Sequence, residues 1–143
     1  MRLEPKPENT CFGCGGGNPR GMKLAFETDD ERQRVCGRFR IGVEFAGARG
    51  MLHGGIIALL LDEAMGKVNR FSGVSAVTAE LSVEYLRPIP VDEDISVEAF
   101  QLERNGRQLW HQGEIRNAAG QVLAKGKGRF VIVDPEKYSK RLP

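Results

Sequence analysis

Asp62 is a carboxylate on a segment too apolar to be left in water. It follows Met51-Leu52-His53-Gly54-Gly55 and the uninterrupted run Ile56-Ile57-Ala58-Leu59-Leu60-Leu61. Such a run predicts a buried helix, and a buried charge is costly unless it is paired or used. A carboxylate in that setting can take a proton from water or attack an electrophilic carbon itself. The first N–H groups of a helix are unpaired, and its dipole favours negative charge there. Gly54 and Gly55, having no side chains, allow another molecule to approach those donors, so the helix start predicts a site for an oxygen that becomes anionic. The same glycines would also serve close packing against a strand, and Asp62 would also serve as an interface carboxylate.

Helical neighbours separate Asp62 from the adjacent Glu63. Glu63 has Lys67 four residues on and Arg70 seven on, an ion-pairing arrangement on a solvated face. Asp62 has Ala58, Gly66 and Gly55 beside it, a small-residue stripe that leaves room for a second helix or a ligand. His53 precedes the glycines at the helix start, where the protonated ring is disfavoured. A neutral hydrogen-bonding role that orders the turn is favoured over general-base function. Gly54 and Asp62 are eight residues apart, about 12 Å along a helix axis at about 1.5 Å per residue. One reacting carbon cannot meet both within one subunit, whereas two antiparallel helices in a two-fold dimer bring Gly54 of one near Asp62 of the other.

The surrounding elements follow from periodicity. Met22, Leu24 and Phe26 alternate with polar residues. Val35, Gly37, Phe39 and Ile41 do so next, with Thr28 to Glu31 as the turn of a first hairpin. A glycine-rich connection leads to the helix, expected over about His53 to Arg70 and ended by Phe71-Ser72-Gly73. Ala79, Leu81, Val83 and Tyr85 then alternate with Thr78, Glu80, Ser82 and Glu84. Strands over about 95–103, 108–116 and 122–133 complete the pattern, with Asn105-Gly106 and Ala119-Gly120 as hairpin turns. One long helix between two strands and a four-strand meander gives an antiparallel α+β domain. The expected division is a Gly/Cys-rich lead-in over 1–21, a single domain over 22–133 and a polar tail over 134–143.

Composition limits the function classes. With 143 residues the chain is long enough for a core without disulfides. A net charge of +2, from 21 basic and 19 acidic residues, argues against a nucleic-acid binder. The longest strictly apolar run is too short to cross a bilayer and the start has no apolar signal core, so the expectation is a cytoplasmic protein without membrane association. Cys11, Cys14 and Cys36 are read as reduced thiols. Cys11-Phe12-Gly13-Cys14 has zinc-knuckle spacing, but no second Cys or His pair supplies four ligands, so no metal is expected. The glycine run after it lacks a nucleotide-loop ending. His111 alternates with Leu109 and Ile115, the pattern of a core histidine.

At His53-Gly54-Gly55 with Asp62 nine residues after the histidine, the chain resembles the hotdog-fold acyl-CoA thioesterases of the PaaI and 4-hydroxybenzoyl-CoA thioesterase type. Cys11-Phe12-Gly13-Cys14-Gly15, Asn18-Pro19-Arg20-Gly21-Met22 and Tyr85-Leu86-Arg87-Pro88-Ile89 add to the likeness. The resemblance implies a hotdog fold, an antiparallel curved sheet of five to six strands wrapped around one long central helix. It implies hydrolysis of an acyl-CoA to free acid and CoA by a homodimer or homotetramer with its site at the dimer interface. No cofactor is implied, CoA being part of the substrate. Asp62 becomes the catalytic carboxylate, the Gly54 N–H the polariser of the thioester carbonyl and Thr78 an assisting hydroxyl. His53 borders them, and Gly55 and Gly47 lie on the substrate side. Position 47 often carries Asn or Gln in these proteins, and Gly47 removes that side-chain contact. Coenzyme A phosphates call for basic residues at the mouth, for which Arg87 and Arg49 are candidates. Two rivals share the fold: a module that binds acyl-CoA without hydrolysing it, and a dehydratase. The latter pairs a loop histidine with a helix carboxylate, whereas the only histidine before this helix is its first residue.

Overall fold

The computed structural model describes residues 1–139. Its centre is helix α1 (Gly54–Val68), which turns Ile57, Leu60, Leu61, Ala64, Met65 and Val68 into the core at the helical spacing of the apolar run. A seven-stranded sheet curves around it. The strands are β1 (Arg2–Leu3), β2 (Phe26–Asp29), β3 (Arg34–Arg40), β4 (Ala76–Tyr85), β5 (Asp94–Asn105), β6 (Gln108–Asn117) and β7 (Val122–Ile132). They lie in the order β1-β2-β3-β5-β6-β7-β4, every pair antiparallel. A short helix α2 (Pro135–Ser139) follows. This is the helix-in-curved-sheet arrangement that the sequence predicts, with one strand more than six because Arg2–Leu3 pairs with β2. Residues 140–143 of the expected tail lie outside the described ones.

The first expected strand is displaced. The amides of Met22 and Leu24 donate to the carbonyls of Phe12 and Gly13 at 2.7 and 2.9 Å, and Lys23 between them has φ 52°. Pairing with the lead-in therefore replaces ladder bonds, the extended run restarts at Phe26, and the turn falls at residues 30–33.

The helix sits close to the sheet because glycines meet it. A Cβ on Gly113 or Gly126 would lie 3.1 or 3.2 Å from the Leu61 side chain. Val35, Val97, Ala99, Leu109, Ile115, Ala124 and Phe130 complete a buried core. At the far end His111 Nε2 bonds Asn69 Oδ1 at 2.7 Å, tying β6 to the residue after α1. A satisfied core histidine is what the alternation predicts, and the structure bears out the core position but satisfies only Nε2: Nδ1 is buried with no hydrogen-bond partner among the described residues. The partner Asn69 has no signature in the sequence. Among the described residues no helix is long and apolar enough to cross a membrane.

Candidate active site

The start of α1 is a capped turn. His53 is the N-cap, and its Nδ1 accepts the Gly55 N–H at 2.8 Å. A ring nitrogen accepts through its lone pair, so Nδ1 is committed to the cap in this bond and Nε2 faces away from it. The two glycines are thereby distinguished. Gly55 spends its N–H on the cap, whereas the Gly54 N–H has no acceptor among the described residues. The Gly54 carbonyl accepts the Tyr85 hydroxyl at 2.9 Å, so the end of β4 pins the helix start. Sequence reasoning missed that contact, since Tyr85 is exposed and only the fold brings residues 31 positions apart together.

Asp62 lies two turns along. Its Oδ1 accepts the Thr78 hydroxyl at 2.7 Å. Burial pushes its carboxyl above the usual range; the Thr78 hydrogen bond opposes that rise and the Glu63 charge adds to it. Simple alternation puts Thr78 on the same face as Glu80, Ser82 and Glu84, away from the helix. The structure corrects this. Thr78 pairs with Phe130 and Glu80 with Arg129, leaving Ala79 without a partner. This β-bulge shifts the phase by one residue, so Thr78 joins Leu81 and Val83 on the face toward α1. Glu63 pairs with Lys67 at 3.9 Å, as its spacing predicts, but not on the solvated face expected for it: both side chains are mostly covered, and Glu63 also accepts the Cys11 thiol of the lead-in at 3.3 Å.

The remaining predicted residues lie on the segments that flank the helix start. Gly47 donates its N–H to the Met51 carbonyl at 2.7 Å, and a Cβ on it would stand 3.1 Å from His53 Cα. A larger residue there would press on the cap. Arg49 is exposed with φ 56° and ψ 39°, a conformation costly for a residue with a side chain. Arg87 is exposed two residues past Tyr85. The Leu52 N–H donates to the Ile89 carbonyl at 2.7 Å, and Met51 bridges Pro90, so the segments carrying the two arginines run side by side. Cys14 does not suit nucleophilic chemistry: burial foremost, then the Glu63 charge, push its thiol up to about 12.

The arrangement offers a carboxylate with a raised proton affinity, an unspent backbone donor and two cations. It can deliver a base to one side of a polarised carbonyl, provided the donor and base come from different chains. Residues 49–124 match the family described as the thioesterase superfamily. The acyl-coenzyme A thioesterase THEM4 of Bos taurus is 31% identical over 117 residues, 81% of this chain and 48% of its own. THEM5 of Mus musculus, likewise an acyl-coenzyme A thioesterase, is 30% identical over 119 residues, 82% of this chain and 47% of its own. The chain thus spans about half the length of these relatives. A crystal structure of a thioesterase superfamily protein superposes with a TM-score of 0.76 at 33% identity, covering 82% of this chain and 60% of that one.

Proposed function

Because the chain belongs to the thioesterase superfamily, we propose that it hydrolyses an acyl-coenzyme A to the free acid and coenzyme A at a site shared by two subunits. The observation that carries this reading is the Asp62–Thr78 hydrogen bond of 2.7 Å on a partly buried carboxylate. A raised proton affinity makes Asp62 a stronger base than an ordinary aspartate, and the Thr78 hydroxyl fixes which oxygen stays free.

The substrate carbonyl oxygen accepts the Gly54 N–H, where the helix dipole supports the charge that develops on it. Asp62 of the opposing subunit takes a proton from the attacking water, the carbon–sulfur bond breaks with its electron pair leaving on coenzyme A sulfur, and the Asp62 proton passes to that sulfur. In the alternative course Asp62 itself attacks the carbonyl carbon, the thiolate leaves and takes a proton from water, and a water then hydrolyses the resulting mixed anhydride to the free acid and the regenerated carboxylate. Arg87, and Arg49 on the segment paired with its own, are exposed and suit the coenzyme phosphates. His53 acts through the cap by holding the Gly54–Gly55 turn.

The dimer is supported by what α1 leaves uncovered. Gly55, Ala58, Leu59, Asp62 and Gly66 form a stripe that is partly exposed although largely apolar or small. Strand β4, ten residues long, ends the sheet among the described residues. An unpaired edge next to an uncovered helix stripe is a surface that a second copy can close by two-fold symmetry.

An acyl-CoA panel with thiol detection tests the reaction on wild type and Asp62→Asn together. Wild type is expected to release thiol, with turnover falling by about 10²–10⁴ in the variant. Tight acyl-CoA binding without thiol release from the wild type would overturn the proposal.

A further inference from the structure

The lead-in carries a second constellation, remote in sequence from the helix it meets. The thiols of Cys11 and Cys14 and a carboxylate oxygen of Glu63 all lie within 4.8 Å of one another. The sequence alone shows two ligands with knuckle spacing; the fold adds the third from α1. From this cluster the geometry points to a binding site for a thiophilic divalent cation of the zinc class, held by Cys11, Cys14 and Glu63 with one position left for water.

Three observations support it. First, the separations, all within 4.8 Å, admit a tetrahedral site. Zinc–sulfur bonds of about 2.3 Å place two thiolates about 3.8 Å apart and a thiolate and carboxylate oxygen slightly closer. Cys11 Sγ already stands 3.3 Å from Glu63 Oε1. Second, the Cys11–Cys14 loop is folded as a ligand loop. The Cys14 N–H points at Cys11 Sγ at 3.5 Å, and the Gly15 N–H donates to the Cys11 carbonyl at 2.9 Å. The backbone N–H aimed at sulfur fixes where Cys11 Sγ stands, as outer contacts orient the ligands of a metal. Third, Gly13 between the cysteines makes room for the carboxylate: a Cβ there would lie 2.6 Å from Glu63 Oε1.

Charge also balances. Two thiolates and one carboxylate carry three negative charges, against two from the cation and one from Lys67, whose ammonium lies 3.9 Å from the other Glu63 oxygen. Binding releases the two thiol protons and leaves the pocket neutral. The effect is a clamp between the lead-in and α1, one residue from Asp62 yet separate from the proposed hydrolysis.

The test uses the whole chain, loaded with zinc sulfate and dialysed, with zinc measured by mass spectrometry and cobalt(II) substituted for spectroscopy. The expected result is one metal per chain and a sulfur-to-cobalt charge-transfer band with tetrahedral visible bands. Cys11→Ser and Cys14→Ser should abolish that band. Gly13→Ala, whose Cβ would stand 2.6 to 2.7 Å from Glu63 Oε1, Cδ and Cγ and so push that side chain aside, should weaken affinity roughly 10–100-fold, as should Glu63→Gln, with circular dichroism checking that both keep the fold. Asp62→Asn should bind zinc like wild type. Zinc retained equally by all variants, a cobalt spectrum without the sulfur band, or a metal-free chain two hydrogens lighter from a Cys11–Cys14 disulfide would each overturn the site. Thiol release from acyl-CoA reads out separately, so either proposal can fail alone.

Discussion

The Thr78 hydroxyl opposes the burial that raises Asp62, so removing it has a defined sign. In Thr78→Ala the ionised carboxylate loses a donor and its proton affinity climbs further. The acidic limb of the kcat/KM profile, already above the ordinary aspartate value of 3.8, should move to higher pH. Thr78→Ser should restore it; a limb unmoved by alanine would separate Thr78 from the ionisation. At the helix start, Gly54→Pro removes the one uncommitted N–H while fitting the first helical position, which proline favours. The preceding His53 already has φ −60° and ψ 135°, the conformation a following proline prefers. A Cβ there would meet the Tyr85 ring at an ordinary 3.6 Å. Turnover is expected to fall by about 10²–10³ with the circular dichroism spectrum unchanged.

At the scale of elements, two local departures from regularity do most of the positioning. The unpaired Ala79 turns Thr78 toward Asp62, and the His111–Asn69 bond locks β6 to the end of α1. Burial drives the His111 pKa from 6.5 down to about 4, partly offset by the Trp110 backbone. Between those values the unfolded chain binds the proton more readily than the folded one. Stability is therefore complete above 6.5 and lost as pH falls toward about 4. Urea titrations across that window should show this fall, and His111→Gln should flatten it relative to wild type. A slope the variant keeps in full would assign the effect elsewhere. Neither departure leaves a mark in the residue pattern: Ala79 fits perfect alternation, and Asn69 reads as an ordinary helix-end residue.

For the whole molecule, the separation of Gly54 from Asp62 makes a strong demand. If each reaction site takes its donor from one subunit and its carboxylate from the other, Gly54→Pro and Asp62→Asn lie on different sites' halves. Mixing the two inactive proteins under exchange gives heterodimers with one intact and one doubly altered site. With random pairing, activity should return to about a quarter of wild type. No recovery despite demonstrated subunit exchange would place both groups within one chain and sink the shared site. Sedimentation of the wild type as a monomer at assay concentration would do the same.

The period-two and helical patterns by themselves fixed the order of the main elements, the identity of α1 and which carboxylate on it is unusual. That information is local, since burial alternates along each strand and around the helix with the residues' own hydrophobicity. The motif at His53-Gly54-Gly55 likewise marked a helix start with unpaired N–H groups, because where a helix begins depends on its first residues. Tertiary structure decided what depends on distant partners. It showed Gly54 rather than Gly55 keeping its N–H, Thr78 reaching Asp62 through a bulge, and Tyr85 holding the helix start. It also set Glu63 beside two cysteines some fifty residues earlier, 52 in the case of Cys11. Those contacts arise from register and packing between segments far apart in sequence, and pattern within a segment carries no record of them.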